Sequence, residues 1–303
     1  MKPAPFSYSA PTSLDEALAL LAEAGEGGKV LAGGQSLLPM LNMRLVSPEH
    51  LIDINGIPGL DGITADTAGV RVGALARHAQ LARHPGAQAI VPLLGQALRL
   101  VAHPVIRNRG TTVGSLAHAD PSGELTAVLA LLGGEMELAG AGTRRTVPAE
   151  AFFVGPLESC LEPSELAISA WFPALPARSG TAFREVARRH GDYAMCGVAA
   201  AVTLDGAGRI GTARTSYISM APTPVVLDLT DAVAGQTPEA ADWAGAARLA
   251  RPGLEPEPDI HATACYRRHL GEVLTRRALA EAAAAASSIE ATSAGVPPRR
   301  AAP

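Results

Sequence analysis

Apolar positions along this chain come in short runs cut by glycine, which predicts many small elements. Ser13-Leu14-Asp15-Glu16 opens a helix with a serine cap and an acidic first turn, Leu18 and Leu21 carry it on, and glycines at 25, 27 and 28 end it. Lys29-Val30-Leu31-Ala32 reads as a strand stopped by Gly33-Gly34, Ser36 to Leu41 as a helical turn, and Leu51-Ile52-Asp53-Ile54 as a second strand. Met40, Leu41 and Met43 are expected in the core. Residues 56–175 alternate β runs (69–73, 135–138, 166–172) with helical ones (76–83, 91–101, 124–132), with a glycine-rich turn at 110–115. The pattern changes near residue 176. Strands are predicted at 183–187, 198–204 and 215–220, with Asp205-Gly206-Ala207-Gly208 as a hairpin turn. An alanine-rich helical stretch follows over 261–286, with Leu270, Val273 and Leu274 at core spacing. These changes of pattern divide the chain into units 1–55, 56–175 and 176–286, and the apolar-poor stretch 287–303 is expected to be disordered.

Composition narrows the function. At 303 residues the chain has room for two domains or three small ones, given about 150 residues per domain. A net charge of −4 leaves no basic excess for a nucleic-acid backbone, and 4% aromatic residues leave few platforms for stacking bases. Cys160, Cys196 and Cys265 lie too far apart for a zinc site, and an iron–sulfur cluster needs about four thiolates. The first residues lack the apolar core of a signal peptide, and no apolar run is long enough for a membrane span. A cytoplasmic protein without a membrane span is expected.

Two segments carry candidate chemistry. In Val30-Leu31-Ala32-Gly33-Gly34-Gln35-Ser36-Leu37 a β run meets two glycines, two small polar residues and a helical turn. Such a turn can point backbone N–H groups at an anion, though an ordinary tight turn has the same composition. In residues 109–125, Gly110, Thr111, Thr112, Gly114 and Ser115 could hold a second phosphate edge, while Asp120 and Glu124 could accept from ribose or ribityl hydroxyls. Glu124 reads equally well as a first-turn helix acid, and His118 as a structural histidine. Gly206-Ala207-Gly208-Arg209-Ile210-Gly211 matches the dinucleotide fingerprint, but β formers follow it where the fingerprint needs a helix, so a hairpin is favoured. Arg188 and Arg189 read as a solvated pair, with Asp192 bridging one of them.

Leu31-Ala32-Gly33-Gly34-Gln35-Ser36-Leu37, together with Arg107-Asn108-Arg109-Gly110-Thr111-Thr112-Val113-Gly114-Ser115-Leu116-Ala117-His118-Ala119-Asp120-Pro121, resembles the FAD-binding medium subunit of molybdenum hydroxylases. The carbon monoxide dehydrogenase medium chain is the nearer likeness and the xanthine dehydrogenase FAD module the more distant one. Residues 183–194 and Tyr266-Arg267-Arg268-His269-Leu270 extend the resemblance to about residue 286. It implies an α+β chain: a two-subdomain FAD-binding fold of the vanillyl-alcohol-oxidase (PCMH-like) type, plus a small C-terminal α+β domain with a three-stranded sheet and a helical bundle. It implies that 31–37 and 111–115 wrap the FAD diphosphate and that Glu124 contacts the cofactor. By the same resemblance Val101 and a Leu166 backbone group meet the flavin ring, Arg184 lies near the ring, and Tyr193 covers one face. Two positions depart from the family. Val113 replaces the first glycine of a usual Thr-Ile-Gly-Gly, and Gln35 stands where carbon monoxide dehydrogenases often carry histidine.

The implied function is electron transfer with no catalytic acid or base. Flavin would take electrons from an iron–sulfur small subunit and deliver them to an external acceptor, quinone or NAD, with substrate oxidised in a molybdenum-cofactor large subunit. Two rivals are a self-contained flavin oxidase, for which 176–286 looks too small and too family-typical, and a flavin-free assembly scaffold, which only Val113 favours.

Overall fold

The computed structural model describes residues 2–294. Strands β1 (Ser7–Ser9), β2 (Gly28–Leu31) and β3 (His50–Asp53) make a parallel three-stranded sheet in the order β1-β3-β2. The helix Leu14–Ala24 leads into β2, and its predicted cap is present, with the Ser13 hydroxyl accepting from Glu16 N–H at 3.2 Å. The helix Leu37–Asn42 buries Leu41, but Met43 lies beyond its end and is exposed, against expectation.

A second, antiparallel sheet has the order β4-β5-β10-β6-β7. Its strands are β4 (Ile63–Asp66), β5 (Gly69–Gly73), β6 (Glu135–Gly140), β7 (Thr143–Pro148) and, after the short pair β8 (Phe153–Gly155) and β9 (Glu158–Ser159), β10 (Leu166–Pro173). Helix Glu124–Leu132, buried over nearly its whole length, packs on β10 of this sheet, and helix Pro92–Leu98 packs against that helix. Pro85 and Pro92 each begin a helix, so the helical run predicted over 91–101 starts at a proline, and it ends early, at Leu98.

The third sheet has four antiparallel strands, β11 (Ser179–Val186), β12 (Cys196–Leu204), β13 (Ile210–Ile218) and β14 (Val225–Asp228), one more than expected. Side-chain alternation divides it between two cores. Phe183, Ala199, Ala201 and Ile218 join the large core of the first two sheets, whereas Ala182, Val198, Ala200 and Tyr217 pack with helices Trp243–Ala250 and Ala264–Ala294. The fingerprint-like glycines form the β12–β13 hairpin, where the Asp205 carboxylate accepts from Ala207 and Arg209 N–H. The last helix continues through Ala294 past the boundary expected at 287, and 295–303 lie outside the described residues. No helix among the described residues is long and apolar enough to cross a membrane.

Candidate cofactor site

The two glycine segments, far apart in sequence, meet. A Cβ at Gly33 would stand 2.7 Å from the Arg109 carbonyl oxygen and 2.8 Å from Gly110 Cα, so only glycine allows this backbone-to-backbone approach. Gly34 follows at φ +71°, flanked by Leu31 and Leu38. The Gln35 amide donates to the Gly33 carbonyl at 3.0 Å, which fixes the turn from within. Ala32 and Leu37 are half-buried beside it, and Ser36 stands at the N-cap of Leu37–Asn42 without making a cap bond.

The second segment is not the open glycine turn expected at 110–115. Thr111 is the N-cap of a helix, Thr112–His118, and its hydroxyl accepts from Gly114 N–H at 3.1 Å. Thr112 is fully buried with its hydroxyl 3.4 Å from His78 Nδ1, so neither threonine offers its side chain outward. Val113 points into the core at 2% exposure, which explains how a branched residue fits where the family usually has glycine. Gly114 and Ser115 are half-buried on the first turn. What the segment presents is a helix N-terminus behind a glycine, an arrangement suited to an anion.

Around this seam lies a set of polar groups that the sequence reading did not single out. Tyr8 hydroxyl donates to one Asp53 oxygen at 2.7 Å, while Asn55 N–H and side-chain amide donate to the other at 2.9 and 2.6 Å. The Asn55 amide also donates to the Ala32 carbonyl at 2.8 Å. Arg77 donates through one nitrogen to Asn55 Oδ1 and through the other to the Arg109 carbonyl, each at 2.6 Å. Burial works against ionisation of Asp53, but these donors and the Arg109 charge outweigh it and hold the carboxyl below its usual range. The Asp-x-Asn turn after a strand was the available signal.

The groups expected near the ring divide into two sets. Val101 is half-buried and its carbonyl accepts from Arg107 at 2.7 Å. Two residues on, the His103 ring lies against Gly191, whose φ is +85°, so the β11–β12 loop that carries Tyr193 rests on this segment. Tyr193 is 71% exposed, which rules out a place in the sheet core. Desolvation, then the Asp120 and Glu124 charges, raise its hydroxyl above the ordinary tyrosine value. Burial, then Glu185 and Asp120, push Glu124 up to about 8, and burial pushes Glu185 up to about 7. One Glu185 oxygen is buried without a hydrogen-bond partner.

Two expected residues stand apart from that set. Leu166 is buried at the start of β10, so only its backbone can reach a ligand. Arg184 falls on the helix side of β11 and pairs with Glu281 at 2.5 Å; strand alternation puts Glu185, not Arg184, on the side of the large core. Asp192 bridges Arg189 at 3.2 Å and Arg188 at 3.4 Å, as the sequence suggested.

A glycine seam that any Cβ would block, a helix N-terminus, carboxyls for hydroxyl groups and an orphaned buried oxygen fit a dinucleotide cofactor. Residues 4–175 match the family described as the FAD binding domain in molybdopterin dehydrogenase, and residues 181–282 the CO dehydrogenase flavoprotein C-terminal domain. The chain is 40% identical to the 6-hydroxypseudooxynicotine dehydrogenase complex subunit alpha of Paenarthrobacter nicotinovorans, over 93% of this chain and 96% of that one. It is 37% identical to the carbon monoxide dehydrogenase medium chain of Hydrogenophaga pseudoflava, over 92% and 97% of the two chains. A solved carbon monoxide dehydrogenase from Hydrogenophaga pseudoflava, lacking the Mo-pyranopterin moiety of the molybdenum cofactor, superposes with a TM-score of 0.87 at 38% identity, covering 94% of this chain and 99% of that one. Fold, glycine seam and sequence together place the chain in one family: it belongs to the FAD-binding flavoprotein subunits of molybdopterin dehydrogenases.

Proposed function

We propose that this chain is the electron-transfer subunit of a cytoplasmic molybdenum hydroxylase, taking electrons from an iron–sulfur small subunit and passing them to an external acceptor, quinone or NAD. In this reading residues 1–55 and 56–175 are the two halves of the FAD domain, 176–286 closes over the ring side, and a molybdenum-cofactor large subunit oxidises the substrate. The observation that carries the reading is the Gly33 seam, which makes one cradle out of two segments. Bound there, FAD supplies redox chemistry that links single-electron donors to one- or two-electron acceptors. The chain's own residues bind and orient it: backbone at 33–34 and the 112–118 helix N-terminus face the diphosphate, Asp120 and Glu124 face hydroxyls, and Tyr193 limits access to the ring. The substrate is set elsewhere, because relatives of similar identity are named for substrates as unlike as carbon monoxide and 6-hydroxypseudooxynicotine.

Isolated through a tag on this chain, the complex should contain iron–sulfur and molybdenum subunits together with FAD, and substrate should reduce the flavin only in the assembled complex. A Gly33→Val complex should assemble without FAD, as read from its visible absorbance. If the chain alone turned over a small organic substrate with oxygen at about 1 per second or faster, the self-contained oxidase would be the right reading.

A further inference from the structure

We propose that Arg77 is a positioning residue for the cofactor: its guanidinium fork ties the two glycine segments together and sets the width of the cradle between them. The proposal rests on the reading of this chain as an FAD carrier. One Arg77 nitrogen donates to the Arg109 carbonyl, at the edge of the second segment, and the other to Asn55 Oδ1. Asn55 passes the hold to the first segment through its bond to the Ala32 carbonyl, and is itself fixed by two bonds to Asp53, which Tyr8 secures from β1. The backbone beside Arg77 repeats the connection: His78 N–H donates to the Gly110 carbonyl and Thr112 N–H to the Ala76 carbonyl. Residues 76–78 therefore hold 109, 110 and 112 directly and 32 through one side chain.

Only a planar fork with separated donors can span both acceptors; an ammonium at the same place serves one of them. The charge is also matched to the ligand. Burial first and then the Arg109 charge disfavour the Arg77 cation, the Asp53 and Asp61 carboxylates offset them only in part, and an anion lodged at the seam adds to that offset. A loop pair held at one spacing before the ligand arrives loses less freedom on binding than two loops that must be gathered.

The test measures FAD affinity of the complex isolated through this chain and stripped of flavin, beside the melting temperature of the flavin-free chain. Arg77→Gln and Arg77→Lys should each weaken FAD binding about tenfold to a hundredfold, the scale of a lost charged hydrogen bond. Tyr217→Phe is the structural control, because it removes a buried hydroxyl bonded to Thr215 and Thr275 in the other core. It should lower the melting temperature at least as much as the Arg77 variants while leaving FAD affinity unchanged. Asn55→Ala should add little to Arg77→Gln, since the two form one path. Wild-type affinity in Arg77→Lys, affinity losses that follow melting temperature across all variants, or independent losses for Asn55 and Arg77 would each overturn the proposal while leaving the flavoprotein reading intact. A wild-type complex that takes up no FAD would overturn that reading and the proposal with it.

Discussion

Tyr193 presents a large ring to solvent on a loop that His103 holds in place through Gly191. An aromatic residue so placed does not fill a core, and the role proposed for it is to limit access to the ring. Tyr193→Ala should therefore raise the rate at which small acceptors reoxidise the flavin severalfold, with stability changed by no more than about 0.5 kcal/mol, as for other surface substitutions. Stopped-flow reoxidation beside denaturant unfolding checks both; a loss of about 3 kcal/mol with unchanged reoxidation would mark it as a packing residue instead. At this scale glycines were legible because their role is steric and local, and Gly33 lies where the sequence put it. Arg184 was not, because one step along a strand reverses the side chain, and resemblance alone does not say which of two neighbours faces the site. Arg77 was invisible for another reason: it acts through partners more than twenty residues away.

The last helix approaches β11 backbone to backbone. A Cβ at Gly180 would overlap the backbone of Ala282 and Ala286, and Ala278, Ala282, Ala283 and Ala286 are all essentially fully buried along the contact. Small side chains on both sides let backbone meet backbone, so the contact cannot absorb an added methyl by rotating a side chain. Gly180→Ala should cost about 1–3 kcal/mol in urea unfolding, the usual range for overpacking, without changing flavin content. Elements with strong periodicity were readable: the helix Glu124–Leu132, the hairpin of β12 and β13, and the long C-terminal helix. The helix Thr112–His118 was not, since Thr-Thr-Val-Gly carries neither helix propensity nor an apolar stripe, and what makes it helical is the Thr111 cap and the buried pair Val113 and Leu116. β1 escaped for its brevity: three residues, Ser-Tyr-Ser, held by pairing to β3.

For the molecule as a whole, the carboxyls at the junction of the two cores set a pH dependence. Glu124 at about 8 and Glu185 at about 7 stay protonated in the fold above the ordinary value of 4.5, and lose that proton on unfolding, so they subtract stability as pH rises toward 8. His78 acts in the opposite sense: burial, then the Arg107 charge, lower it from 6.5 to about 4, so it adds stability as pH rises between those values. His118 is also lowered and works in the same direction. Above 6.5 the histidine contribution fades and the carboxyls outweigh it, so the melting temperature of the flavin-free chain should fall between pH 6.5 and 8. Glu124→Gln should flatten that fall; a melting temperature that climbs over the interval would contradict the assignment. The seam has a consequence for how the protein comes into being. Every residue that shapes it, from Tyr8 through Gly33, Asn55 and Arg77 to Thr112, leaves the ribosome before the first residue of β11. A growing chain whose earlier domain folds first thus offers the cradle while it is still uncovered, and FAD can enter before the loop bearing Tyr193 has been synthesised.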